Sequence, residues 1–375
     1  MYLHSYKKFI SCLLAFLLSV PLIACHDDAK NQDSASIDYN QYVNGNGFYA
    51  YTDTAYLYYD SGLPIQFIDA ELSQSFEVMC AKPDCHHNSI DCSAYVNTAG
   101  IYAWNNHLYY LVNENGTAGL YEMEIGGENR RQLYAIDEMS ELQSYAFPYR
   151  IQAGYLLLDL VRYDVSTSAD TLYLYPLQDG KNTPVTVFEE TDDQELVDFY
   201  LRDDWVFYSV MADDSADRQT LYGYRISTQE TKLLHDNWQS KNAISLKENT
   251  LYFSTEAEKL CKLDLDSGEI TEFEPQLEEA GGAFNYSVAY DDQYFYLMTA
   301  ESVNSYGKPG LFIYTYEGEL KQFIPYVDGQ ILSYCMTGPD VSLFNAPQTR
   351  DYTPICYLNK ADIEEGKAQF HFFEQ

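Results

Sequence analysis

The chain has 375 residues, enough for a large core, and its 37 tyrosines and 19 phenylalanines exclude a disordered polymer. It carries 57 acidic against 22 basic side chains, a formal net charge of −35. A field of that sign repels nucleic acid and anionic lipid headgroups, so neither is expected as a partner.

The first residues, MYLHSYKK, hold Lys7 and Lys8 and no acid, and residues 9–24, FISCLLAFLLSVPLIA, are almost wholly apolar. That run is short of the roughly 20 residues a spanning helix needs and suits the apolar centre of an export signal. Leu22-Ile23-Ala24-Cys25 follows and resembles the lipobox of bacterial lipoproteins. The resemblance implies diacylglyceryl transfer to the Cys25 thiol and removal of residues 1–24 as a signal peptide. Cys25 is then the expected lipidated N-terminus, holding the protein at the cell membrane and facing outside the cytoplasm. Cleavage removes Lys7 and Lys8 and leaves 20 basic against 57 acidic side chains, a net charge of −37. Residues 25–45 are polar and poor in apolar side chains, so they read as a flexible tether that lifts a folded domain, 46–375, off the membrane.

Within 46–375 a turn-prone pair, one further residue and a short apolar-aromatic run recur. Asp53-Thr54 precedes Tyr56-Leu57-Tyr58, Asn105-Asn106 precedes Leu108-Tyr109-Tyr110, and Ala153-Gly154 precedes Leu156-Leu157-Leu158. Asp203-Asp204, Glu248-Asn249 and Asp291-Asp292 introduce Val206-Phe207-Tyr208, Leu251-Tyr252-Phe253 and Tyr294-Phe295-Tyr296. Pro339-Asp340 before Val341-Ser342-Leu343-Phe344 is a weaker seventh copy, and the turns are 43 to 52 residues apart. Asn and Asp tolerate positive φ and suit two-residue hairpins. Further strands follow in most copies, as in Leu120-Tyr121-Glu122-Met123 and Leu221-Tyr222-Gly223-Tyr224. Helical periodicity is confined to the leader and one turn near Gln194-Glu195-Leu196. Four short antiparallel strands at this period predict an all-β fold, a β-propeller of seven four-stranded blades, with a stacked sandwich as its rival. AQFHFF, 368–373, is expected to supply an outer strand.

Three of the six remaining mature-chain cysteines cluster as Cys80-x4-Cys85-x-His87-x4-Cys92. Lys82-Pro83-Asp84 predicts a turn that brings Cys80 and Cys85 together. Three thiolates and an imidazole make a complete tetrahedral set for a structural zinc, with His86 as an alternative ligand. The competing reading is a disulfide among Cys80, Cys85 and Cys92, which suits an exported protein. Cys261 reads as a small buried apolar residue, and Cys335 and Cys356 as a pair across the last unit. The lipobox, the Leu-Tyr-Tyr strands and Cys80-Ala81-Lys82-Pro83-Asp84-Cys85-His86-His87 together resemble the exported β-propeller lipoproteins of anaerobic Gram-positive bacteria. That resemblance implies the fold and assigns no activity.

No catalytic residues are assigned: G-x-S-x-G and H-E-x-x-H are both missing from the sequence. Acidic runs at Asp213-Asp214-Ser215-Ala216-Asp217 and Asp264-Leu265-Asp266-Ser267-Gly268 depart from the calcium-loop pattern and read as turns. Two functions follow. One is a monomeric, non-catalytic propeller that binds or scaffolds a glycan or protein ligand at the surface. The other is a propeller glycan lyase or hydrolase with carboxylates converging on the central channel. Tyrosines at a channel mouth would stack on sugars, although strand packing accounts for most of them.

Overall fold

The computed structural model describes residues 37–43, 47–60, 62–89, 91–114, 117–136, 148–163, 168–178, 183–191, 194–212, 219–238, 245–254, 260–273, 286–299, 309–326, 331–346 and 352–374. The leader, Cys25, most of the tether and the acidic run 213–217 therefore lie outside the described residues.

Alternation of aromatic or branched residues with short polar turns gives strands β1 to β28, which fall four by four into seven antiparallel sheets. In chain order these blades span 49–78, 102–135, 149–189, 194–238, 245–273, 286–325 and 333–372. Every turn pair named above falls in the first hairpin of its blade, between the first and second strands. The backbone shows why these residues are used. Asn105 and Asn106 have φ of 47° and 59°, Ala153 and Gly154 51° and 79°, and Asp203 and Glu248 47° and 55°. Positive φ at the centre of a two-residue loop matches the twist of the strands it joins.

Seven clusters of buried side chains lie between the sheets, one for each pair of neighbours. The first joins blades 1 and 2 through Leu57, Ile65, Leu108 and Met123. The last joins blade 7 to blade 1, with Tyr51, Tyr56 and Ile68 against Met336, Val341 and Leu343. The sheets thus form a closed ring, a seven-bladed β-propeller. No strand is exchanged between the ends, because the last blade is built wholly from residues 333–372 and takes its outer strand β28 (His371–Phe372) from AQFHFF. Since each sheet is covered on both faces, β22 (Tyr294–Thr299) and β26 (Val341–Asn345) are buried along their whole length.

Tyrosine supplies much of this packing. Tyr56, Tyr59, Tyr110, Tyr175, Tyr294 and Tyr296 are each less than 2% exposed. Burying such a ring stabilises by about 1.5–3 kcal/mol, and several of the hydroxyls bind across or within blades. Tyr102 in blade 2 donates to the Tyr149 carbonyl of blade 3 at 2.5 Å, and Tyr316 in blade 6 to the Asp291 carbonyl at 2.5 Å.

The structure corrects three expectations. Gln194-Glu195-Leu196 begins a strand, β13 (Gln194–Arg202), because its alternating side chains pack against blade 3. A short helix, α1 (Lys360–Glu364), stands instead in the last hairpin of blade 7. The compact unit starts at Asp38, not at 46. Tyr39–Tyr42 form a 3-10 turn that packs against the first strands of blades 7, 1 and 2. First strands of neighbouring blades meet one another, which places them around the centre of the ring. Asn40 clasps the backbone of Tyr51, accepting from its N–H and donating to its carbonyl at 2.8 Å each.

Candidate metal centre

The chain leaves blade 1 after β4 (Glu77–Val78) and is tied down at once, Met79 N–H donating to the Ile65 carbonyl at 2.9 Å. The expected turn forms: Cys85 N–H reaches the Lys82 carbonyl at 3.2 Å. A second turn places Cys92, whose N–H donates to the Ser89 carbonyl at 2.9 Å. His87 has φ of 54°, a conformation costly for a non-glycine residue and found where local geometry is over-determined. It carries the imidazole Nδ1 to 3.3 Å from Cys92 Sγ.

The structure brings Cys80, Cys85, His87 and Cys92 together, their ligand atoms all within 4.8 Å of one another. A zinc tetrahedron with Zn–S of about 2.3 Å has edges of about 3.8 Å, so the set fits with small side-chain movements. His86 stands outside the group. Cys92 is 1% exposed and packs with Ala94 and Val96 into the interface of blades 1 and 2, whereas Cys80, Cys85 and His87 are part-exposed and leave an entry path. The Ala94 N–H donates to Cys92 Sγ at 3.4 Å, an outer contact that orients a thiolate ligand.

Electrostatics separate the thiols. Hydrogen bonding from the Ser93 hydroxyl, then from the Lys82 N–H and the neighbouring thiols, draws Cys80 well below the ordinary thiol range. Burial pushes Cys92 up. Metal binding needs deprotonated ligands, a need that the lowered Cys80 thiol would meet more readily than the buried Cys92. One Arg130 nitrogen donates to the carbonyls of Cys92, Ser93 and Tyr95 at 3.3, 3.1 and 2.9 Å and fixes the far end of the loop. Gly127 abuts that loop with φ of 77°, and a Cβ there would fall 2.2 Å from the Ser93 oxygen. A cleft of about 550 Å³ opens beside the cluster, lined by Lys82, Asp91, Cys92, Gly127 and Arg130 among others.

No disulfide joins the six described cysteines. Cys335 and Cys356 do not pair: Cys335 packs toward blade 1 and Cys356 toward blade 6, on opposite faces of the seventh sheet. Cys261 is buried among apolar residues of blades 4 and 5, as its sequence setting suggested. Asp264 accepts from Asp266 N–H, Ser267 N–H and the Ser267 hydroxyl, so the run 264–268 is a turn held by its own aspartate.

The sequence reading missed a buried ionic group beside the Tyr39–Tyr42 turn. Lys360, 4% exposed at its side chain, pairs with Asp292 at 2.5 Å and Asp291 at 3.3 Å. Its ammonium also lies 5.2 Å from the centre of the Tyr39 ring. Lys360 stands 68 residues from Asp292 and becomes its neighbour only through the ring.

No protein-family model matches this chain, and no curated protein matches it in sequence. Solved structures do. A prolyl endopeptidase, from a study of two such enzymes and their inter-domain dynamics, aligns with a TM-score of 0.59 at 11% identity. The alignment covers 89% of this chain but 50% of the endopeptidase, so the chain spans half that enzyme's length. Hsv2 of Kluyveromyces lactis aligns with a TM-score of 0.51 at 8% identity, over 88% of this chain and 98% of that one. The computationally designed Ika8 protein gives 0.50 at 9% identity over 88% and 97%. At such identities the likeness shows the fold alone, and that fold is the seven-bladed propeller the blade geometry had already established.

Proposed function

We propose that this chain is a lipid-anchored, extracytoplasmic propeller that binds or scaffolds a glycan or protein ligand without catalysis. A structural zinc on Cys80, Cys85, His87 and Cys92 cements the junction of its first two blades. What supports non-catalytic binding is how the two acids beside the Tyr39–Tyr42 turn are used. Asp291 is fully buried, and its side chain accepts from the N–H groups of Gln293 and Tyr294, the Tyr296 hydroxyl and the Ser342 hydroxyl. Lys360 adds its charge to both Asp291 and Asp292. A general acid or base needs a free lone pair or proton facing substrate, and these two acids are spent on holding the ring and the turn before it. The cysteine set supports zinc as cement, since its ligands come from the connection between two blades and their backs form the apolar interface.

Native mass spectrometry of residues 26–375, paired with a panel of cell-surface glycans and peptides, tests both parts. Expected are one zinc per chain, lost in Cys85→Ser, and ligand adducts whose mass stays that of the intact ligand. Shortened or unsaturated ligand products would overturn the non-catalytic reading. A chain lighter by two hydrogens per bridge and free of zinc would overturn the cement.

A further inference from the structure

We propose that Arg150, backed by Arg202, recognises the carboxylate of an acidic saccharide at the inner strands of blades 3 and 4. The inference rests on the binding reading above and names its ligand class. Arg150 belongs to β9 (Tyr149–Gln152), the first strand of blade 3, and Arg202 ends β13, the first strand of blade 4. These two strands meet near the centre of the ring. Both guanidinium groups lie against one aromatic ring, the Arg150 carbon 5.5 Å and the Arg202 carbon 5.9 Å from the centre of Tyr200. Arg150 is also 5.8 Å from the centre of the Phe199 ring.

What points to a ligand is an open guanidinium edge beside a second, buried cation. Arg150 is half-buried, and its Nε donates to the Phe199 carbonyl at 3.1 Å. Among the described residues its two terminal nitrogens have no hydrogen-bond partner, and no carboxylate pairs with the group. Arg202 is 8% exposed and is held by Gln152 Oε1 at 3.2 Å and the Leu201 carbonyl at 2.8 Å. Burial first, then the charge of Arg150, draws Arg202 down to about 10, so Arg202 feels Arg150 more strongly than it feels Asp203. Asp198 is engaged by the Tyr200 hydroxyl and the Phe199 N–H, both of which donate to it. Two neighbouring cations repel each other, and an anion docked on the outer one relieves that cost. The terminal edge of a guanidinium presents two parallel N–H donors, which match the two oxygens of a carboxylate. The rings decide what carries that carboxylate. Tyr102 and Tyr200, both half-buried and both within the field of Arg150, offer faces on which a pyranose stacks. Elsewhere the acidic body repels such a ligand, which confines it to this pair of arginines.

The test titrates residues 26–375 in a calorimeter with three probes: an oligoglucuronate tetrasaccharide, its carboxyl-reduced neutral counterpart, and tetraglutamate. The wild-type chain is expected to bind the acidic sugar, and to bind each of the other two about 10- to 100-fold more weakly. Arg150→Gln keeps a donor for the Phe199 carbonyl and should lose affinity for the acidic sugar by the same factor, with its Tm close to that of wild type. Should that variant fail to fold, the comparison of acidic and reduced sugar on the wild-type chain decides the matter alone. Equal affinity for those two sugars overturns the site, as does undiminished binding of the acidic sugar by folded Arg150→Gln. Tetraglutamate held as tightly as the sugar overturns the saccharide and makes the ligand an acidic peptide. No binding of the acidic sugar overturns this inference, while the glycan and peptide panel above still judges the binding reading. Shortened or unsaturated sugar made by wild type and not by Arg150→Gln would uphold the site and overturn the non-catalytic reading.

Discussion

Asp159 interrupts the run Leu156-Leu157-Leu158 and Leu160-Val161, and the interior answers that intrusion with a change in acidity. Burial first, then the nearby charges of Asp170 and Glu190, raises the Asp159 carboxyl to about 7. Its unfolded counterpart titrates near 3.8, so the folded state holds the proton more tightly. Stability from that proton is complete below about pH 4 and is lost as pH climbs through about 7. The protein should therefore weaken by on the order of 2–4 kcal/mol between those limits, with Asp170, also raised, adding to the slope. Chemical denaturation at several pH values, repeated for Asp159→Asn, checks this: the variant should show a distinctly flatter profile. An equal slope in both would remove Asp159 from the account. An aspartate inside the apolar run 156–161 is the one trace of this acidic group in the sequence. Its partners were not legible, because they come from two other strands whose register only the folded sheet supplies. The cysteine set was legible, since all four of its side chains lie within 13 consecutive residues, 80–92.

Among the elements, the 3-10 turn at Tyr39–Tyr42 and helix α1 show what pattern reading passes over. Both are short and polar, without periodicity over their few residues, and each owes its form to a partner distant in sequence. Asn40 finds Tyr51, and Lys360 finds Asp291, Asp292 and the Tyr39 ring. The first hairpins were legible for the opposite reason. Asn105-Asn106 and Ala153-Gly154 meet a local backbone requirement at φ above zero, and local requirements leave local marks. Pro339-Asp340 left a fainter mark because its turn begins at Gly338, where a Cβ would fall 2.2 Å from the Tyr56 hydroxyl oxygen of blade 1. Lys360→Met tests the coupling between α1 and the turn. Removing one member of a buried ionic group and leaving the acids behind should cost about 3–5 kcal/mol in denaturant unfolding. Adding Asp292→Asn should recover part of the loss. A Lys360→Met protein as stable as wild type would mean that the group is relieved by solvent.

At the scale of the molecule, the lipid proposed for Cys25 would stand 13 positions before Asp38, where the compact unit begins. Cys25→Ser should move the protein from the membrane fraction to the soluble extracytoplasmic fraction, with loss of incorporated labelled fatty acid. Retention of the variant in the membrane would show that something other than this thiol holds the chain. If the proposed cleavage occurs, the remaining net charge of −37 would repel anionic headgroups.

The ring closes without a shared strand, and this has a mechanical meaning. Blades 7 and 1 are held by side chains alone, such as the Tyr49 hydroxyl on the Tyr352 carbonyl at 2.6 Å and the stacked rings of Phe48 and Tyr352. Such a joint would be the first to part under a pull if the load fell on it directly. The turn at Tyr39–Tyr42, however, rests on the first strands of both blades and is clasped to Tyr51 on one side and Lys360 on the other. With the anchor proposed above, a pull on the chain ahead of Asp38 would be shared by both banks of the seam before it reached the seam, a rivet where the ring lacks a latch.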